Sequence, residues 1–197
     1  MKKRLLKIGG VLLACIVLFG VLFAASRLLA PKYRETSVEG SLTAEYYRDP
    51  TAHDVLFVGD CEVFSNFSPV TLWNEYGIPS YIRGSAQQLV WQSYYLLLDA
   101  LKTETPKVVV YNVLALKYGE PQSEAYNRMT VDGMRWGAAK VGAIKASMTD
   151  GEEAISYVFP LLRFHARWSE LEAEDFESAE DYLVHALEGT DAFFVLN

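Results

Sequence analysis

Cys61, the second of the chain's two cysteines, stands two residues after Gly59 at the end of the apolar run Asp54-Val-Leu-Phe-Val58. A thiol there could attack an acyl carbon if a helix N-terminus or a base lowered its pKa, and Asp60 beside it acts in the opposite sense. Gly84-Ser85 and Asn112 follow two further β-rich runs. Cys61, Gly84 and Asn112 therefore fall at the carboxyl ends of three strands and converge on one edge. Open α/β sheets bind ligands at that edge, where turns and helix N-termini leave N–H groups free. Arg83 and Gln87 flank it and are candidate substrate contacts. Each position also has an architectural reading. Cys61 can be a small residue buried at a strand end, Gly84 can serve backbone geometry, and Asn112 can cap a turn.

The elements that would carry these residues follow from local pattern. Asp54–Val58 predicts a strand buried on both faces, and Ser68-Pro69 opens a short helix that Gly77 closes. Residues 78–83 predict a second strand and 85–102 a long helix, with Leu89, Tyr94, Leu97, Leu98 and Leu101 at helical spacing. After Thr105-Pro106, residues 107–113 form a third apolar run. The order βαβαβ predicts a parallel sheet with right-handed crossovers. Beyond Leu116 the chain turns polar. Residues 120–146 read as helical, with Met129, Met134 and Trp136 packing, and Asp150 opens a helix reaching Leu162. Eight acids between 168 and 188 predict a solvated helical face.

At 197 residues the chain suits one domain with a real core. The net charge of −7 is unevenly spread. Residues 1–34 hold seven Lys/Arg and no acid, leaving 11 basic against 25 acidic residues in 35–197. So acidic a region repels phosphate backbones, which argues against nucleic acid as a partner. The basic tail 1–7 precedes an uncharged run from Ile8 to Ser26, roughly 28 Å as a helix and close to bilayer thickness. An uncleaved signal anchor is the reading adopted, with the N-terminus inside and the bulk of the chain extracytoplasmic. A cleaved signal at Ala24-Ala25-Ser26, or a lipobox at Leu12-Leu13-Ala14-Cys15, are its alternatives. Residues 27–50 read as a stalk, 51–197 as an α/β domain with a helical insertion over about 120–190. The lipid bilayer is thus the partner of residues 8–26. No metal-ligand spacing, phosphate loop or dinucleotide fingerprint occurs, and no metal or cofactor is expected.

Val58-Gly59-Asp60-Cys61, with Asn66-Phe67-Ser68-Pro69 behind it, resembles the first sequence block of the SGNH/GDSL hydrolase superfamily. Gly84 resembles the glycine of the second block, and Asn112 stands where the third places an asparagine. The run 120–136 is similar to a membrane-anchored bacterial subgroup, and the resemblance covers about 54–136. It implies a flavodoxin-like three-layer α/β/α domain and an esterase or O-acyltransferase acting on cell-envelope glycans or other acylated molecules. It also implies a nucleophile at Cys61, with the Gly84 N–H and the Asn112 amide binding the oxyanion. The chain departs from the family in two respects. Cysteine stands where the family has serine, and none of His53, His165 and His185 lies in the family's Asp-x-x-His block. With its apolar ending Asp191-Ala-Phe-Phe-Val-Leu-Asn197, the chain reads as a C-terminally truncated domain. A non-catalytic, membrane-anchored binding or scaffold module of the same architecture is the alternative function.

Overall fold

The computed structural model describes residues 2–31, 42–121 and 123–176, which fall into two compact units. The larger, within 42–154, is mixed α/β around a three-stranded parallel sheet: β1 (Val55–Gly59), β2 (Ser80–Gly84) and β3 (Val108–Tyr111), in the order β2-β1-β3. Val55 lies opposite both Ser80 and Val108, and Gly59 opposite Gly84. The central strand is apolar throughout because helices cover both of its faces. On one face Leu56 and Val58 pack with Tyr46, Tyr81 and Ala100, and on the other Phe57 packs with Val63 and Ile82.

Short helices α2 (Cys61–Asn66) and α3 (Pro69–Tyr76) connect β1 to β2. Ser68 caps α3 by accepting from the Thr71 N–H at 3.2 Å, and Gly77 ends it in a left-handed conformation, φ 65°. The crossover from β2 to β3 contains α4 (Val90–Ala100), which is shorter than the pattern predicts. Its buried face also differs: Gln92, Ser93, Leu96 and Ala100 point inward, while Tyr94, Leu98 and Leu101 are exposed. A buried amide network explains the rotation. Gln92 Nε2 donates to Asn127 Oδ1 at 2.9 Å, and Gln88 Nε2 donates to Ser93 Oγ at 2.8 Å. Paired in this way, polar side chains can occupy a core face that unpaired ones cannot.

Beyond β3, the helical region expected over 120–146 is two helices, α5 (Glu124–Asp132) and α6 (Ala138–Ser147). Met129 and Met134 are buried as expected, whereas Trp136 is exposed. Within the segment read as a stalk, residues 42–49 pack on the sheet domain. Thr43 and Tyr46 are buried, and Tyr81 Oη donates to the Leu42 carbonyl at 2.9 Å.

The second unit contains α1 (Lys2–Leu29), which is apolar and long enough from Lys7 to Leu29 to cross a membrane. Residues 155–176 belong with it. There the single helix expected after Asp150 is two short ones, α7 (Ile155–Val158) and α8 (Leu161–Phe164), followed by 3-10 turns at His165–Ser169 and Ala173–Phe176. Pro160 between α7 and α8 supplies no N–H and separates them. His185, most of the acidic run and the ending 191–197 lie outside the described residues.

Candidate functional site

At the carboxyl edge of the sheet, β1 turns sharply into α2. A Cβ on Gly59 would lie 2.5 Å from Asn112 Cβ and 2.5 Å from Val63 Cγ2, and one on Gly84 would lie 2.8 Å from the Gly59 carbonyl oxygen. Glycine is therefore favoured at both positions: at Gly59 the Asn112 and Val63 side chains crowd the site, and at Gly84 the neighbouring strand backbone does. Asp60 caps α2, accepting from the Glu62 N–H at 3.1 Å, and accepts again from Asn112 Nδ2 at 2.6 Å. Asn112 Oδ1 in turn accepts from the Leu114 N–H at 2.8 Å. The ends of β1 and β3 are thus fastened through one carboxylate.

Over this edge lies a cleft of about 170 Å³ whose lining includes Asp60, Cys61, Glu62, Gln87, Tyr118 and Tyr126. Of the predicted site residues it brings together Cys61 and Gln87. Gly84 and Asn112 stand behind it without lining it, and the Asn112 amide is engaged by Asp60 rather than free to meet an oxyanion. Arg83 is elsewhere. Period-two alternation along β2 turns it to the other face, wholly buried, with its guanidinium 3.9 Å from the Tyr46 ring centroid and Nη1 donating to the Thr43 carbonyl at 3.3 Å. Enclosed in this way, Arg83 does not line the cleft where a substrate contact was expected of it.

Gln87 has φ 52°, the single non-glycine residue with positive φ among those described, a conformation costing a glutamine about 1–2 kcal/mol. Strain of this kind gathers at ligand sites, where the surrounding fold enforces it. Besides Leu89, the lining also takes in Leu114, Lys117, Ser123 and Asn127 with the two tyrosines. Sequence reading did not single them out, since no spacing marks residues that reach a cleft from a 3-10 turn (Leu114–Lys117) and from α5.

The electrostatics do not favour a thiolate. Cys61 is exposed rather than buried, yet partial desolvation pushes its thiol up, and the Asp60 and Glu62 carboxylates add to the shift, outweighing the backbone N–H groups of the helix start. In a Cys15→Ser variant, iodoacetamide should therefore label Cys61 more slowly than glutathione at pH 7. The rate should climb with pH past the ordinary thiol range. Labelling faster than glutathione would mean that the thiol is activated.

No histidine lines the cleft among the described residues. His165 is exposed in the unit that contains α1, its Nδ1 3.2 Å from the Leu162 carbonyl. His53 precedes β1 and is buried beside a second cavity of about 300 Å³, at the amino-terminal ends of the strands. Its Nδ1 is 3.0 Å from Glu104 Oε2 and its Nε2 3.2 Å from Asp49 Oδ2. Tyr46 Oη donates to Glu104 and Tyr47 Oη to Asp99, so these groups fasten 42–53 to the domain. Among the described residues no group of three or more His, Cys, Asp or Glu side chains is arranged to hold a metal ion. Comparison with protein-family models, with curated proteins and with solved structures gave no match to this chain.

Proposed function

We propose that the chain is a membrane-tethered, extracytoplasmic module of SGNH-like architecture whose cleft binds acylated or glycan components of the cell envelope without turning them over. The observation that carries this reading is the setting of Cys61. Its thiol lines the cleft between two carboxylates that oppose its ionisation, and the asparagine that would bind an oxyanion is held by Asp60. A negative charge developing on a substrate oxygen would meet Asp60 instead of a free donor. The remaining lining suits recognition of a polyhydroxylated ligand: two tyrosine rings, the Gln87 amide and the Ser123 hydroxyl. The anchor is α1, and the basic tail before it supports an inside N-terminus.

Hydrolysis or acyl transfer is the second reading, favoured by the position of Cys61 as the first residue of α2 within the cleft. One experiment separates the two. The full chain in detergent is mixed with purified cell-wall polysaccharide and, separately, with p-nitrophenyl acetate. Binding reading: the polysaccharide sediments with the protein, Gln87→Ala weakens this by about tenfold, roughly 1.4 kcal/mol, and ester turnover is no greater than in Cys61→Ala. Turnover abolished by Cys61→Ala establishes the enzyme instead, and no polysaccharide binding removes the proposal.

A further inference from the structure

The apolar side chains of α1 are exposed from Ile8 to Phe23, and burial begins only at Ser26 and Leu29. What covers that last turn is the stretch 155–176. Ser26 Oγ accepts from the Leu161 N–H at 3.0 Å, and the Leu29 carbonyl accepts from Arg167 Nη1 at 2.8 Å. From Ile8 to Ser26 the helix spans roughly 28 Å, near the roughly 30 Å of bilayer hydrocarbon. The stretch is therefore fastened to α1 at the depth where hydrocarbon gives way to headgroups.

Its own outer surface is unlike that of a soluble helical hairpin. Trp168 is 73 % exposed, Phe176 69 % and Leu162 55 %, with Ile155 and Val158 also exposed. These are not the packing residues of the unit, a role taken by Tyr157, Leu29 and the buried Asp175. Large apolar side chains that remain outside a small unit mark a contact surface. Tryptophan and phenylalanine beside arginine and histidine are the composition found at membrane interfaces.

We infer that residues 155–176 form a collar around the exit of α1, seating Ile155, Val158, Leu162, Trp168 and Phe176 in the boundary between headgroups and acyl chains. The partner is the lipid surface itself. Arg167 is occupied by Leu29 and by Asp175, 3.2 Å away, and the exposed Arg163 is outnumbered by the exposed acids Glu170 and Glu172. Apolar area, not attraction to anionic lipid, drives the seating, so neutral lipid suffices.

The inference rests on α1 lying in a bilayer, and the test separates the two. The full chain carrying Cys15→Ser and Cys61→Ser is reconstituted into phosphatidylcholine vesicles with one nitroxide-labelled cysteine at position 12, 136, 162 or 168. The labels at 162 and 168 should show a several-fold higher ratio of oxygen to nickel-chelate collisions than the label at 136. If 12 is shielded from nickel while 162 and 168 match 136, the collar is overturned. Nickel access at 12 as well would overturn the anchoring beneath it. With native side chains otherwise retained, brominated phosphatidylcholine should quench tryptophan fluorescence less in Trp168→Phe than in Trp136→Phe. Equal quenching in the two would overturn the collar independently of the labels.

Discussion

Arg83→Ala should lower the unfolding free energy of the sheet domain by about 3–5 kcal/mol, the cost of breaking a buried charge arrangement by removing one partner. The guanidinium is wholly buried between the Tyr46 and Tyr47 rings. It donates to the Thr43 carbonyl at 3.3 Å and more weakly to the Leu96 carbonyl at 3.5 Å, and lies 3.9 Å from Asp99. Truncation leaves a cavity between two aromatic rings and, among the described residues, withdraws the only cation within salt-bridge reach of the Asp99 carboxylate apart from Lys102, which is half exposed. It also loosens the segment 42–49, since that segment supplies both rings and the Thr43 carbonyl. Urea denaturation of the full chain in detergent, followed by tyrosine and tryptophan fluorescence, measures the loss. A change under about 1 kcal/mol would show the cluster to be dispensable, because that is the range of an ordinary surface substitution or pair.

Gly84→Ala ranks next, with an expected cost of about 1–3 kcal/mol or more from overpacking. The new methyl would sit 2.8 Å from the Gly59 carbonyl oxygen and 3.3 Å from Ile82 Cγ2. The first of these neighbours is strand backbone held by the β1–β2 ladder, so relief requires the strands to part at the end that positions Asp60. The variant should therefore also disturb the cleft and the binding proposed for it, whereas Gly119→Ala, with nothing within 4 Å of the added atom, should be close to neutral. Thermal melts of the two variants against the parent chain decide the matter. Equal melting temperatures would mean that the β1–β2 edge yields more readily than its geometry implies.

The legible part of the fold is the part written in apolar runs. Val55–Gly59, Ser80–Gly84 and Val108–Tyr111 were visible as strands because β-branched and aromatic residues bounded by glycine and proline admit few other readings, and parallel pairing follows from the spacing between them. The convergence of three strand ends was legible for the same reason. The face of α4 was not, because periodicity counts Tyr94, Leu98 and Leu101 as inward, while the fold buries Gln92 and Ser93 in a hydrogen-bonded network that needs Asn127 from α5. The fate of Arg83 was hidden likewise. An arginine next to Gly84 suggests a ligand contact until Thr43, forty residues earlier, and Tyr46 and Tyr47 beside it in sequence are seen to enclose it. In the cleft, Cys61 and Gln87 were found from their place after a strand, but the tyrosines opposite them arrive through tertiary folding alone.

The central position of β1 also sets a timetable for synthesis. Val55 takes Ser80 and Val108 as its two neighbours, so the strand leaves the ribosome 25 residues before one partner and 53 before the other. At roughly 5–20 residues per second, the second wait lasts about 3–10 s. For that interval Leu56, Phe57 and Val58 have no sheet to enter, while α1 has already emerged. A newly made chain therefore passes through a stage in which its most apolar strand is unshielded, and its yield in cells should depend on whatever holds nascent segments apart until residues 108–111 appear.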